Sequence, residues 1–510
     1  MYKIDRLTAI VLFAALTILA ACQPDAGSLL TPSADHDPVR NITIFYTSDE
    51  EGYLEPISDR SITRGGAANV MASLRRRGYR PDSNEALLLS GGDMWTGPAI
   101  SSWFQGASTV QVANAMGYDA AALGNHEFDF GQETIRTNAA AANFPIVSAN
   151  AMVTKTGKLL DFCAPYLIRE LNDVRIAIIG LTTRKTPGIV TPKYVEGLTF
   201  TDYEEAIRNA VSQARAEGAD LPIVISHVCP DELHKLIPVA SELSIPLLAG
   251  GHCHSQLENF EEEGVRIIGA GAHWQSFAQI DITFDTVTKQ VLETQAELVP
   301  IAYPAGDNPL APDPDIDAIV AEWSAKVDKE LGEVIGYSRT GVSKDWPLYN
   351  LLVDSWLWAF PEADFAVSNF GGYREALPPG DITRADIVAS LPFDNTIFDV
   401  ELSGKQVEEN LLCCGGAVAG LTYRRSGNQI RANLKDGSDL LPEATYRVLV
   451  NSFIYDGGSG YLFSDQNPNG YDTGIHWRDP IINWILSRQT SRERPLEMFL
   501  DSTRRGPDNK

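Results

Sequence analysis

Positive charge is scarce in this chain: 41 lysines and arginines stand against 67 aspartates and glutamates, a net charge of −26 over 510 residues. Such a surface repels a polyphosphate backbone, which argues against a nucleic-acid polymer as partner. Long apolar runs are missing too. The one candidate, residues 7–21, is shorter than the roughly 20 residues a bilayer crossing needs. Cysteine is sparse, six in all and irregularly spaced, so no disulfide framework organises the fold. No internal repeat or low-complexity tract is present. Histidine is rare, with eight copies, which gives weight to where each one falls. What remains is ordinary globular composition, 44% hydrophobic and 21% charged, on a chain long enough for two or three cored domains.

The apolar run at 7–21 follows Lys3 and Arg6, the layout of a signal peptide. It ends in Leu19-Ala20-Ala21-Cys22, which resembles the lipobox of bacterial lipoproteins. That resemblance implies a signal peptide at 1–21, lipidation of Cys22, a polar tether at 22–40, and a periplasmic or cell-envelope protein held to the membrane by lipid. Cys163, Cys229, Cys253, Cys413 and Cys414 remain, and leave one or two bridges open without assigning them.

Between residues 41 and 300, short apolar runs alternate with helical patterns: 42–46, 86–89, 120–123, 175–181, 223–225 and 245–248. Runs of this length bounded by Gly and polar residues read as buried strands, and the helices between them imply an α/β sheet. The alternation at 280–284 reads as a strand with one exposed face. Prolines 300, 304, 309, 312 and 314 then mark a linker, placed with a connecting helix (315–331) at 301–334. A second α/β unit follows at 335–490, and a polar tail at 491–510 is expected to fray.

Five of the strand-like runs end in metal-ligand residue types. They lead to Asp49 and Glu51, to Gly92-Asp93, to Gly124-Asn125-His126-Glu127, to His227, and to Gly251-His252-Cys253-His254. Ligands of α/β sheets gather at the carboxyl ends of strands. The five ends are therefore expected to converge on one edge, as a two-metal site requires. Each piece alone is weak, but four of the eight histidines fall at three of these ends.

The ordered set resembles the calcineurin-like metallophosphoesterases, whose blocks are D-x-H, GD, GNH[DE], a lone H and GH-x-H. Gly124-Asn125-His126-Glu127-Phe128-Asp129-Phe130-Gly131 resembles the 5′-nucleotidase branch in particular. So do Asn369-Phe370-Gly371-Gly372-Tyr373-Arg374, Leu391-Pro392-Phe393-Asp394-Asn395 and Gly457-Gly458-Ser459-Gly460-Tyr461. The resemblance implies an α/β fold: an N-terminal four-layer αββα sandwich, followed by a C-terminal α/β domain that binds substrate. It implies two divalent ions, Zn, Mn, Fe or Mg, about 3.5–4 Å apart and sharing the attacking hydroxide. Asp93 would bridge them. Asp49, Glu51 and His254 would complete one site, and Asn125, His227 and His252 the other. His126 would steady the transition state, oriented by Asp129, while Asn369, Gly371, Gly372, Arg374 and Phe453 would hold the substrate. Hydrolysis of small phosphate esters follows, with nucleotides the default substrate.

Three departures qualify this picture. Glu51 stands where the family has histidine. Two divalent ions against Asp49, Asp93 and Glu51 leave one net positive charge where histidine would leave two, and a hard oxygen ligand favours Mn, Fe or Mg over Zn. Ser459 stands where nucleotidases carry an aspartate for the ribose hydroxyls, and a serine holds one hydroxyl less firmly than a carboxylate holds two. Residues 411–422, where the second half of a base clamp is expected, contain no aromatic. Cyclic nucleotides, nucleotide sugars and sulfur compounds thus stay open as substrates, as does a non-catalytic or weakly active metal- or ligand-binding lipoprotein.

Overall fold

The computed structural model describes residues 38–58, 61–254 and 260–507. The signal peptide, Cys22 and most of the tether lie outside the described residues. No helix among the described residues is long and apolar enough to cross a membrane.

The alternating runs build two sheets. The chain first lays down β1 (Val39–Thr47), β2 (Ala86–Ser90), β3 (Ala120–Ala122) and β4 (Ile146–Val147) as parallel neighbours. It then crosses to a second sheet with β5 (Tyr166–Leu171), β6 (Val174–Thr182), β7 (Leu221–His227) and β8 (Leu247–Gly250). After β9 (Phe260–Glu262) and β10 (Val265–Gly269) it returns with β11 (Ser276–Asp285) and β12 (Gln290–Pro300). The orders are β12-β11-β1-β2-β3-β4 and β9-β10-β8-β7-β6-β5.

Period-two alternation sends each strand's side chains into two different cores. Ile42, Ile44 and Tyr46 of β1 and Ile280 and Ile282 of β11 pack against Ile176, Ile178, Ile223 and Ile225 of the second sheet. Phe45 and Leu88 face the other way, under α1 (Ala67–Arg76) and α2 (Ala107–Met116). Ile179, Leu181 and Val224 do the same beneath α3 (Tyr203–Ala216). Helix, sheet, sheet and helix make the expected four layers.

The helix expected at 315–331 forms as α4 (Pro314–Leu331), started by Asp313, whose side chain accepts from the amides of Asp315 and Ile316. It is more than a connector. Ile316, Val320, Val327 and Leu331 join the core beneath α1 and α2, and Asp313 pairs with Arg75 at 2.5 Å.

Beyond it, β13 (Phe365–Ser368), β14 (Thr396–Ser403), β15 (Ala417–Ala419), β16 (Thr445–Asn451) and β17 (Tyr471–His476) form a mixed sheet ordered β15-β13-β16-β14-β17. Helices α5 (Trp346–Ala359) and α7 (Asp479–Arg488) cover one face, and α6 (Gly404–Cys414) covers the other. The tail departs from expectation: as far as residue 507 it is pinned. Leu496 is fully buried, Arg505 pairs with Asp354 at 2.6 Å, and Asn350 donates to the carbonyls of Asp501 and Thr503. One buried apolar side chain and one part-buried ion pair outweigh the polar composition around them.

Candidate active site

The five ligand-bearing ends belong to two sheets and not to one edge of a single sheet: β1, β2 and β3 from the first, β7 and β8 from the second. They meet because the sheets are stacked. The backbone knits them together before any side chain is counted. Asp49 N donates to Gly92 O (3.0 Å) and Glu51 N to Asp93 O (2.8 Å), so the first two loops run side by side. Asp49, Glu51, Asp93, His252, His254 and His273 all have φ between 44° and 71°. Left-handed backbone costs such residues about 1–3 kcal/mol each and persists where the surroundings enforce it. Six of the fifteen non-glycine residues with positive φ among those described are concentrated here.

Two glutamates in the motifs serve this scaffold. Glu50 turns away from the site and accepts from Thr47 and from Ser90 Oγ (2.9 Å). Burial pushes its carboxyl up to about 8. Glu127 accepts from three backbone amides, Gly124 (2.8 Å), Asp93 (3.0 Å) and Met94 (2.7 Å), tying the β3 loop to the β2 loop. Gly124 is needed beside it, because a Cβ there would lie 2.2 Å from Asp93 Oδ1.

The ligand-type atoms then converge. His227 Nδ1 lies 3.0 Å from Gly91 O, and a carbonyl only accepts, so Nδ1 carries the hydrogen and Nε2 keeps its lone pair. That lone pair faces Asp93 Oδ2 at 2.7 Å and His252 Nδ1 at 3.2 Å. A second proton on His227 or a metal ion would reconcile carboxylate and imidazole. Two further atoms favour the metal: Asp49 Oδ2 and Asn125 Oδ1 are buried with no hydrogen-bond partner among the described residues, and a proton on His227 would leave both unsatisfied. Beside this group, Glu51 Oε1 lies 3.4 Å from His254 Nε2, and Asp49 Oδ1 lies 3.5 Å from the same nitrogen. Asp93, His227 and His252 form one ligand cluster, and Glu51, His254 and His273 another. All seven residues named as ligands from sequence are at this place. His273 was not among them, since it belongs to no recognised block.

His126 Nδ1 lies 2.6 Å from Asp129 Oδ2, the one-turn contact expected from their spacing. Its other nitrogen faces inward, 3.9 Å from Asp93 Oδ2. Arg374 reaches in from the second half of the chain. Its Nη2 donates to Glu51 Oε1 at 2.7 Å and lies 3.0 Å from His126 Nε2. Burial pushes the Glu51 carboxyl up, but Arg374, His254 and His273 together hold it well below the usual range, so it is ionised.

A cavity of about 500 Å³ opens onto these groups. Asp93, Asn125, His126, Asp129, His252 and His254 line it from the first half, and Asn369, Gly371, Gly372, Arg374, Phe453 and Ser459 from the second. Phe393, Asn395, Ile189 and Thr191 line it as well, though the sequence reading gave them no role. Phe393 also lies 5.8 Å from the Arg374 guanidinium. Residues 411–422 do not line the cavity, so its second aromatic is Phe393. Gly372 is a packing glycine, since a Cβ there would meet the Trp477 ring at 2.9 Å.

Two bridges join four of the five cysteines left open. Cys229–Cys253 links the loop after His227 to the residue between His252 and His254. Cys413–Cys414 joins neighbours at the end of α6. Cys163 has no bridge among the described residues.

Residues 325–465 match the profile of the 5′-nucleotidase C-terminal domain. An endonuclease of Bacillus subtilis is 28% identical over 83% of this chain, although the chain spans only 37% of that relative's length. A 5′-nucleotidase of Vibrio cholerae is 26% identical over 88% of this chain and 91% of its own. The crystal structure of a 5′-nucleotidase precursor from Thermus thermophilus superposes with a TM-score of 0.76 at 25% identity, covering 92% of this chain and 99% of that one. With the four-layer first half, the second-half domain and the converging ligand set already described, the chain is similar to 5′-nucleotidases over most of its length, and residues 325–465 match that family's C-terminal domain.

Proposed function

We propose that this protein hydrolyses small phosphate esters, nucleotides foremost, at a site holding two divalent ions. The observation that carries the reading is the convergence of Asp93, His227 and His252 beside the orphaned oxygens of Asp49 and Asn125, at the floor of a cavity walled by Phe393 and Phe453. Asp49, Glu51, Asp93 and His254 would hold one ion, and Asp93, Asn125, His227 and His252 the other. Bound there, the ions supply Lewis-acid polarisation of phosphoryl oxygens and a water nucleophilic at neutral pH.

The chain's own groups do the rest. Asp129 fixes the His126 ring so that Nε2 faces the cavity, placed to donate to a phosphoryl or leaving oxygen. Arg374 offers a planar fork to the phosphate, exchanging its contact with Glu51 for one with substrate. Phe453 and Phe393 give a base or other flat group an apolar berth, and Ser459 offers one hydroxyl to a sugar. Glu51 tilts metal preference toward Mn, Fe or Mg. The chain acts as two domains, 41–300 and 335–490, joined through 301–334. Cell-envelope placement through a lipid on Cys22 fits the disulfides, which persist in oxidising compartments.

The test is a metal-stripped and reloaded preparation assayed on an aryl phosphate, 5′-mononucleotides, cyclic nucleotides, nucleotide sugars and single-stranded DNA. Metal-dependent release of phosphate from mononucleotides, with DNA untouched, is expected. Retention of two metal equivalents without turnover of any phosphate ester would overturn the reading in favour of a binding protein.

A further inference from the structure

Position 51 lacks an imidazole, yet the structure brings one to the same spot from elsewhere. His273 Nε2 lies 2.8 Å from Glu51 Oε2, and the ligand atoms of Glu51, His254 and His273 lie within 4.8 Å of one another. His273 sits in the loop between β10 and β11, more than two hundred residues from Glu51. We propose that His273 is a ligand of the ion on the Asp49 side, supplying the nitrogen that position 51 has given up; this rests on the two-metal reading above.

The loop is built to aim that ring. His273 N donates to Asp49 O at 2.8 Å, fastening it to the first ligand loop. His273 and Trp274 are consecutive left-handed residues, with φ of 57° and 51°. For two bulky side chains in succession this is costly backbone, maintained where neighbours fix it. Trp274 anchors it: its indole is buried and donates to Tyr118 at 3.2 Å. The His273 ring stacks on Tyr53, with centroids 3.9 Å apart and planes 25° apart, and meets His254 edge-on at 5.6 Å. With the plane fixed on two sides, Nε2 has one direction to point, toward Glu51. Two donors 2.8 Å apart suit neighbouring positions around one ion whose bonds are roughly 2.0–2.2 Å. Carboxylate and imidazole together then do what a single histidine does in the ordinary first block, with one more negative charge.

The experiment compares metal content and chelator-competition affinity of wild type, His273→Ala, His273→Asn and the double variant Glu51→His/His273→Ala, each loaded with Mn²⁺ or Zn²⁺. Asparagine tolerates left-handed backbone and guards against a folding defect in the alanine variant. Circular dichroism of the metal-stripped forms checks that all share one fold. Expected is at least tenfold weaker binding of one equivalent in both single variants, with the other retained, and recovery of that equivalent in the double variant. Two equivalents bound within threefold of wild-type affinity in His273→Asn would overturn the assignment, leaving His273 a hydrogen-bond partner of Glu51. A double variant that fails to recover the ion would overturn it as well. A wild type that binds no metal sinks the two-metal reading itself, a result distinct from either.

Discussion

Glu50 and Glu127 are both buried carboxyls within the metal-site motifs, yet a one-atom change should affect them differently. Glu50 meets two hydroxyls, either of which can rotate its hydrogen away and accept instead, and burial raises its carboxyl to about 8, so near neutral pH it is largely protonated and offers them one donor and one acceptor. An amide offers the same pair. Glu50→Gln should therefore change stability by less than about 1 kcal/mol. Glu127 accepts three backbone amides on two oxygens, and glutamine has one acceptor oxygen and turns an NH₂ toward the rest. Glu127→Gln should cost about 1–3 kcal/mol through amides left unpaired. Denaturant unfolding of metal-stripped protein measures both, and equal losses would remove the distinction. Neither role was visible in the sequence, where Glu50 is the free position of the first block and Glu127 a block residue with no assigned role. The ligand types were legible because Asp, Asn and His recur immediately after apolar runs. His273 was not, because it follows a run that belongs to no motif and gains meaning only from the fold that carries it to Glu51.

The strands were legible from runs of Val, Ile, Leu and Ala bounded by glycine, and each of the six runs lies at a strand. What the pattern lacks is sheet membership. A run buried on both faces looks the same in either sheet, so five ends expected on one edge proved to come from two stacked sheets. The loops that meet across them need their own fastening, and Cys229–Cys253 is one, crossing from the β7 end to the β8 end between residues assigned as ligands. Cysteine spacing could not pair them, since the partners are 24 residues apart with a helical segment between. Holding both loops in one geometry reduces the ordering cost of metal binding. Reduction by a dithiol, or the double change Cys229→Ser/Cys253→Ser, should weaken metal retention against a chelator severalfold. Cys413→Ser/Cys414→Ser, outside the ligand loops, should leave it unchanged. Equal retention in all three would show that the loops hold their form without the bridge.

Across the whole molecule, the two halves meet on charged side chains at the site. Arg374 crosses to Glu51, and Tyr53 donates to Glu375, the residue beside it. The helix α4 is part of the first half's core, so the second half is mounted on a fixed post and not on a free tether. A proline-rich stretch reads as linker from composition, but the helix after it is amphipathic in the sequence, and its apolar face, Ile316, Val320 and Val327, proved structural. Under the proposed function, Arg374 mounted this way has two anionic partners to choose between, Glu51 and an incoming phosphate. The phosphate carries more charge and matches both prongs of the guanidinium, so substrate should win the exchange. Arg374→Ala should then raise KM for the preferred phosphate ester about 10- to 100-fold, the loss of about 1.4–2.7 kcal/mol expected for a charge-assisted contact. Metal content should stay at the wild-type value, because Arg374 is not a ligand. Arg374→Lys should recover only part of the loss, since a single ammonium cannot span two oxygens. Steady-state kinetics alongside metal analysis decides the matter. Unchanged KM in Arg374→Ala would mean that the arginine serves Glu51 alone, as a counter-ion that closes one half of the chain on the other.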